Sequence, residues 1–327
     1  MNVTSWNREK TGFVLLVAIG LVAPFVVYPI FLMKALCFAL FACALNLLMG
    51  YAGLLSFGHA AFFGGAGYVT GYAMTVLNWP VEAGLLAGTV FGLVLGTVFG
   101  GLAIRRQGLY FTMVTLALAQ MVFFLCLQIK ATGGEDGLQG IPRGVLFGVI
   151  DLNKSLNLYY LVFAVFLVGF VFIYRVVHSP FGNVLKAIRE NEPRAISLGY
   201  NAERHKLVAF ILSAGLAGLA GSTKAIVFQL ASLTDVHWSM SGEAVLMTLV
   251  GGMGTLFGPV VGAVFVVSLD NLLAPFGSWF TVVMGVIFVA CVLLFKKGIV
   301  GSLRWPSKPT RTAAGPAVPA ATAGTPT

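Results

Sequence analysis

The chain contains 327 residues, of which 58% are hydrophobic and 9% are charged. Soluble domains carry about 45–50% apolar and about 25% charged residues, so this composition excludes an ordinary soluble globular protein. The formal charge of +9 does not indicate nucleic acid as a partner, because the basic residues occur in short loops beside apolar runs. In such positions they serve as topology signals and lipid contacts.

Several apolar runs are long enough to cross a bilayer as helices, for which about 20 residues are needed. The sequence therefore predicts an all-α polytopic membrane protein with roughly 8–10 transmembrane segments, some of them broken or re-entrant at glycines. We expect one transmembrane domain over residues 1–306. Residues 307–327, rich in Pro, Ala, Thr and Gly, are expected to form a disordered tail.

The chain begins with two apolar segments. We predict a first span over residues 12–33, with Arg8 and Lys10 on the cytoplasmic side. The next segment, residues 35–49, is too short for a full crossing, because a helix of that length reaches only about 22 Å. It leads into GYAGLLSFGHAAFFGGAGY (residues 50–68), whose dense glycines predict backbone that leaves helical geometry within the membrane.

Further apolar runs predict spans along the rest of the chain. They cover residues 83–104, 109–129, 156–177, 207–227 and 276–295. Residues 130–155 are polar and are expected to form an external loop. Lys224 is expected to extend to the outer interface, where we also place Glu82, Asp235 and Glu243 without a role inside the membrane.

Residues 179–206 form the only long internal segment that is both charged and compatible with helix. Ser179, which precedes a proline, indicates a helix start, and Pro193 interrupts that helix. Gly199 is expected to end a second short helix, and Asn201 to cap the next one. We call this segment the elbow and place it at the cytoplasmic membrane surface, because its basic residues follow the positive-inside rule.

A second glycine-rich stretch, residues 242–267, precedes the final span. One full crossing here would put the basic residues Lys296 and Lys297 outside, against the positive-inside rule. Two half-helices broken near residues 251–254 would put them inside. We therefore predict the broken form.

The glycines of the two stretches occur in a similar order, which indicates an internal repeat. The glycines compared are Gly50, Gly53, Gly58 and Gly64 with Gly251, Gly254, Gly258 and Gly262. Two glycine-interrupted segments in corresponding halves indicate a transport pathway built from broken helices. The alternative is that both stretches are small-residue seams for helix packing.

Motifs for nucleotide hydrolysis and metal binding are absent from the sequence. It contains no GxxxxGK[ST] P-loop, no HExxH, and no cluster of His, Cys and carboxylates at metal-ligand spacing. We therefore expect a non-catalytic chain that binds no cofactor itself, with any ATP hydrolysed by another protein.

Three stretches resemble the permease subunits of ABC importers for branched-chain amino acids: GYAGLLSFGHAAFFGGAGY, GNVLKAIRENEPRAISLGYN and LVGGMGTLFGPVVGA. The resemblance extends over residues 36–301, and GHAAF resembles the M-type subunit more than its H-type partner. It implies a multi-pass subunit in the bacterial inner membrane that works with an H-type permease subunit. It also implies two ATP-binding subunits, which hold ATP and magnesium, and a periplasmic substrate-binding protein.

Within the elbow, ENEPRAISLG is similar to the EAA loop, the element that docks into a cleft on the ATPase of such importers. Pro193 and Arg194 stand where that motif usually carries alanines. The residues expected to couple to the ATPase are Leu185, Ile188, Arg189, Glu190, Glu192, Arg194 and Gly199. We expect the charged ones to pair with a partner, with Leu185 and Ile188 as an apolar anchor. The alternative is an amphipathic helix that rests on the bilayer.

The substrate pathway is expected beside the broken segments, because half-helix ends and free carbonyls can hold the ammonium and carboxylate of an amino acid. The candidate pathway residues are Gly53, Ser56, Gly58, His59, Gly251, Gly252, Gly254 and Thr255. An alternative role for His59 is that of a structural hydrogen-bond hub.

These patterns together predict ATP-driven import of branched-chain amino acids. Urea and short amides, which relatives in the family also carry, are the alternative cargoes. A secondary transporter or channel, from a different class, would need a titratable residue or cation site deep in a span, for which the chain offers Lys224 and His59. A membrane scaffold without transport is the third possibility.

Overall fold

The structure, a computed structural model, describes residues 3–273, 282–283, 285–286, 289, 293 and 298–302. Nearly all of its secondary structure is helical, which confirms the all-α class. Among the described residues, five helices are long and apolar enough to cross a membrane: Pro29–Ala52, Val81–Ala103, Leu109–Gln128, Ser155–His178 and Ala202–Phe228. The predicted last span, residues 276–295, lies mostly outside the described residues, and the predicted tail, residues 307–327, lies wholly outside them.

The helices are numbered in chain order. They are α1 (Val3–Val22), α2 (Pro29–Asn46, continued by a π-helical segment Leu47–Ala52), α3 (His59–Thr75), α4 (Val81–Ala103), α5 (Leu109–Gln128), α6 (Ser155–His178), α7 (Pro180–Glu190), α8 (Glu192–Ser197), α9 (Ala202–Phe228), α10 (Leu233–Val236), α11 (Trp238–Gly251), α12 (Gly258–Leu273) and α13 (Gly298–Ser302). Short 3-10 segments cover Ala23–Phe25, Lys130–Thr132 and Gly134–Asp136.

Within the described residues, four two-residue strands form two antiparallel pairs. They are β1 (Leu138–Gln139) with β4 (Leu230–Ala231), and β2 (Val145–Leu146) with β3 (Ile150–Asp151). The β1–β4 pair joins the predicted external loop to the segment that follows α9. We call this side of the protein the distal face, and the side that carries residues 179–206 the elbow face.

The boundary between the first two apolar segments differs from the prediction. The chain leaves the helix at Ala23–Phe25, and α2 starts at Pro29 rather than after residue 33. The prediction of a short second segment is wrong, because α2 and its π-helical continuation form one 24-residue span, Pro29–Ala52. A proline at the first helical position has no lost hydrogen bond, so Pro29 starts α2 at no cost.

Glycines let α3 and α4 pack closely against α9 in the centre of the protein. A Cβ at Gly221 of α9 would lie 1.8 Å from the carbonyl oxygen of Phe63, and one at Gly92 of α4 would lie 2.7 Å from the carbonyl oxygen of Ala214. Small residues at helix interfaces allow such backbone contact within a membrane. Because α9 contacts both neighbours in this way, it is the most buried of the long spans.

The second glycine-rich stretch is broken, as predicted. Helix α11 ends at Gly251 and α12 begins at Gly258. The two helices run back to back, since a Cβ at Gly262 would lie 1.8 Å from the carbonyl oxygen of Met247. In its first turn, α11 is attached to the start of α3, because the Ser241 hydroxyl accepts from the backbone N–H of Ala60 at 2.8 Å.

The break between α11 and α12 lies on the elbow face. A Cβ at Gly254 would lie 3.2 Å from Nη1 of Arg189 in the elbow. Helix α13 returns to the same region, since a Cβ at Gly298 would lie 2.3 Å from Cα of Gly252. The described C-terminal residues are therefore on the elbow face, where the broken form was predicted to put them.

Substituting Gly221 with alanine is expected to destabilise the protein by about 1–3 kcal/mol, because the added methyl group meets backbone that cannot rotate away. Gly101→Ala is the matched control, since nothing lies within 4 Å of a Cβ there. Thermal unfolding of the purified proteins in detergent measures the difference. Equal melting temperatures for the two variants would contradict the packing of α3 against α9.

Candidate functional site

The elbow consists of two short helices, α7 and α8, and the first turn of α9. Each of these helices starts at a side-chain cap. The Ser179 hydroxyl accepts from the N–H of Gly182 at the start of α7, and the Asn201 carboxamide accepts from the N–H of Arg204 at the start of α9. Gly199 has φ +89°, the left-handed conformation that ends α8. These predicted features are confirmed. The sequence reasoning missed the cap of α8, Asn191, whose Oδ1 accepts from the N–H of Arg194 at 3.0 Å.

The outward-facing apolar residues of the elbow are not the predicted ones. Leu185 and Ile188 are buried within the chain, so the expectation that they anchor a partner is wrong in this structure. In an amphipathic helix that lies on a protein the apolar face turns to the core, and α7 follows this rule. The exposed apolar side chains are instead Ile196, Leu198 and Tyr200, at 54%, 69% and 43% exposure.

The charged elbow residues differ in their surroundings. Glu192 forms an ion pair with Lys206 of α9 at 2.6 Å, which attaches α8 to the transmembrane helix. Glu190, Arg194 and Gly199 are exposed. They therefore lie on the surface that the elbow presents.

Arg189 connects the elbow to both glycine breaks. The first break is the non-helical stretch between α2 and α3, residues 53–58, and the second is the loop between α11 and α12, residues 252–257. Its Nη1 donates a hydrogen bond to the carbonyl oxygen of Gly50 in the π-helical end of α2. A Cβ at Gly53 would lie 3.0 Å from Cγ of Arg189, and one at Gly254 would lie 3.2 Å from its Nη1. The Arg189 side chain thus touches the end of α2 and the loop between α11 and α12.

Asn46 joins the two breaks directly. Its Nδ2 donates to the carbonyl oxygen of Thr255 and its Oδ1 accepts from the N–H of Gly254, both at 2.9 Å. Asn46 is 2% exposed, and the sequence analysis did not select it. Asn46 could have been selected from the sequence because it is a single amide side chain within an apolar run. Polar groups in membrane spans are costly and need partners.

The predicted glycines of the two breaks have different structural roles. Gly53, Gly252 and Gly254 adopt positive φ of 75°, 120° and 75°, which other residues rarely adopt. Gly251 is required for packing, because a Cβ there would lie 1.9 Å from the carbonyl oxygen of Gly258. Gly58 has ordinary φ and precedes α3 as its N-cap residue.

The hydroxyl residues Ser56 and Thr255 stabilise the non-helical backbone at the breaks. Ser56 Oγ accepts from the N–H of Gly58 at 3.1 Å. Thr255 Oγ1 accepts from the N–H of Gly258 at 3.1 Å and donates to the carbonyl oxygen of Gly252 at 2.7 Å. Both side chains therefore hold the chain in its turn.

His59 is fully buried. Its Nε2 lies 2.8 Å from the hydroxyl of Ser213, which in turn donates to the carbonyl oxygen of Ala44. The rings of Phe62 and Phe210 pack edge-on against the imidazole. The surroundings of His59 fit the role of a hydrogen-bond hub between α2, α3 and α9, the alternative left open by the sequence.

A second feature lies towards the distal face, where α2, α9, α11 and α12 line a cavity of about 670 Å³. Lys224 of α9 forms an ion pair with Asp235, which is 5% exposed. The expected position of both residues near the outer interface stays a prediction. Glu82 lies at the distal face and accepts from the N–H of Phe147.

The sequence comparisons agree with this architecture. The profile of a family described as the permease component of branched-chain amino acid transport systems matches residues 28–292. The chain belongs to this family of membrane permeases. The LivM high-affinity branched-chain amino acid permeases of Salmonella typhimurium LT2 and Escherichia coli K12 are each 27% identical to it, over 80% of this chain and 67% of the relative.

Two further relatives match a smaller share of this chain. The LsrC permease of the autoinducer 2 import system from Klebsiella pneumoniae is 28% identical over 64% of this chain and 60% of the relative. A probable LivM protein of Methanocaldococcus jannaschii is 24% identical over 70% of this chain and 76% of the relative. No solved structure matches the chain.

Replacing Asn46 with alanine is expected to destabilise the protein by about 1–3 kcal/mol, since the partly buried N–H of Gly254 and carbonyl of Thr255 would each lose a partner. Asn183→Ala, at an exposed position of α7, is the control. Thermal unfolding in detergent measures both variants. A melting temperature of Asn46→Ala equal to that of the control would show that the junction contributes little.

Proposed function

We propose that this chain is one permease half of an ATP-driven importer for branched-chain amino acids in the bacterial inner membrane. The other half is an H-type permease subunit, and two ATP-binding subunits hold ATP and magnesium. A periplasmic binding protein delivers the amino acid at the distal face. This chain binds no cofactor and performs no catalysis in this scheme.

The observation that carries the proposal is the junction of the elbow with the two glycine breaks. Arg189 reaches from α7 to Gly50, and Asn46 bridges to Gly254 and Thr255. Helices broken at glycines are typical of transport pathways. An element that extends from these breaks to the protein surface is suited to transmit movement from an ATPase.

The exposed side of the elbow provides a docking surface of suitable chemistry. Ile196 and Leu198 form an apolar centre, with Glu190 and Arg194 exposed nearby. Interfaces commonly combine an apolar core with a charged rim that selects the partner. The apolar anchor is thus moved from α7, where the sequence placed it, to α8 and the turn that follows.

Uptake of labelled leucine into proteoliposomes that contain the co-expressed partners and the binding protein tests the function. We expect uptake to require ATP and to be lost in Leu198→Asp, because a carboxylate would face the apolar centre of the ATPase interface. The ATP-binding subunits should also no longer co-purify with this variant. Phe147→Asp, at a position 78% exposed on the distal face, should retain them.

Leucine uptake that continues without ATP or without the partners would contradict the importer proposal and favour a secondary transporter. Uptake of urea or of a short amide instead of leucine would retain the ATP-driven scheme and replace the cargo. Including these solutes in the assay is justified because the family also contains autoinducer 2 permeases.

Arg189→Ala is expected to uncouple hydrolysis from transport. Hydrogen bonds from charged groups contribute about 1.5–3 kcal/mol, so the leucine transported per ATP should fall by about tenfold or more. The ATP-binding subunits should still co-purify, since the exposed side of α8 is unchanged. Arg204→Ala, which removes an exposed arginine of the elbow outside the proposed docking surface, is the control. Equal leucine transport per ATP in both variants would contradict the role assigned to Arg189.

A further inference from the structure

The cavity near the distal face is lined by five ionisable side chains. They are Lys34, Lys224, Asp235, Glu243 and Asp270. Its volume of about 670 Å³ lies within the range of small-molecule sites, roughly 300–1,000 Å³. Ionisable groups are costly in membrane spans and are found where a substrate or ion passes, so this cluster calls for a functional explanation.

Two ion pairs lie at different depths in the cavity. Lys34 of α2 pairs with Asp270 of α12, and these side chains are 30% and 37% exposed. Lys224 of α9 pairs with Asp235, and these side chains are 16% and 7% exposed. The Lys34–Asp270 pair is therefore the more exposed of the two, and the Lys224–Asp235 pair is the more shielded.

Glu243 of α11 has no hydrogen bond or ion pair within the described part of the chain. It is exposed to the cavity and lies within electrostatic reach of both pairs. The cavity thus contains three carboxylates against two ammonium groups. One carboxylate is consequently available for a cationic group of a ligand.

Apart from the hydroxyl residues Ser232 and Thr234, the remaining described wall of the cavity is mostly apolar. It includes Phe38, Leu246, Met247, Val266 and Val267. An aliphatic side chain gains about 25 cal/mol for each Å² of apolar surface that it buries against such a wall. The wall and the ionic groups together match the two chemical parts of an aliphatic amino acid.

We propose that this cavity binds a zwitterionic α-amino acid with an aliphatic side chain. Glu243 receives the ammonium group, and Lys34, whose side chain is more exposed than that of Lys224, receives the carboxylate. The inference rests on the proposed import function and assigns its substrate a site in this chain. Urea and short amides carry no ionic group, so they could form hydrogen bonds but no ion pair with these side chains.

A purely structural role for the ion pairs makes a different prediction. Lys34 and Asp270 join α2 to α12, so exchanging the two residues would keep the attachment between these helices. If the pair only stabilises the fold, the exchanged double variant behaves as wild type. If Lys34 binds the substrate carboxylate, the exchange leaves leucine binding weakened.

Saturation-transfer NMR of leucine, with the complete permease and ATPase complex in lipid nanodiscs, tests the site without the binding protein. We expect the leucine dissociation constant to rise about tenfold in Glu243→Gln, the effect of losing one ionic hydrogen bond. Glu82→Gln, on the same face outside the cavity, should leave it unchanged. 4-Methylpentanoate, which lacks the ammonium group, should not displace leucine.

Unchanged leucine affinity in Glu243→Gln would overturn this inference. Wild-type leucine affinity in the exchanged double variant, Lys34→Asp with Asp270→Lys, would also overturn it. ATP-dependent leucine uptake by the same wild-type complex is measured in parallel. If wild type takes up leucine while these variants bind it normally, the inference fails and the proposed function stands. If wild type takes up no leucine, the proposed function fails and the inference fails with it.

Discussion

Two side chains, Asn46 and Arg189, supply hydrogen bonds to backbone in the α11–α12 loop and in the π-helical end of α2. Within a bilayer, backbone N–H and C=O groups that leave helical geometry need partners from the protein itself. Asn46 supplies both a donor and an acceptor to the 252–257 loop, and Arg189 supplies a donor to Gly50. Neither break can shift alone without exposing an unpaired backbone group, so the end of α2 and the α11–α12 loop are constrained to move together.

The alternatives of broken helix and packing seam both hold, at different glycines. Gly53 and Gly254 have positive φ and allow the chain to turn. Gly64 and Gly262 are inside helices where a Cβ would meet neighbouring backbone at 2.6 Å and 1.8 Å. The same stretches therefore turn the chain and bring helices together, which explains why glycine occurs there so densely.

Three helices connect the junction with the ionic cavity. Helix α2 carries Lys34 near one end and Asn46 near the other, and α12 runs from the capped turn at Thr255 to Asp270. Helix α11 carries Glu243 and ends at the break. A movement of the elbow against the junction would therefore be transmitted along rigid helices to the side chains that line the cavity.

The sequence by itself determined the class of the protein, the spans α4, α5 and α6, the elbow caps Ser179 and Asn201, and the presence of both breaks. These depend on local hydropathy, on prolines and glycines, and on capping side chains, which act within a few residues. It did not determine the boundary at Pro29, because the apolar run there continues without a polar gap. The direction in which Leu185 faces and the pairing of Lys224 with Asp235 were decided by tertiary structure. Spacing along one helix defines an apolar face, but only the packing of other helices decides whether that face is covered and which charges meet.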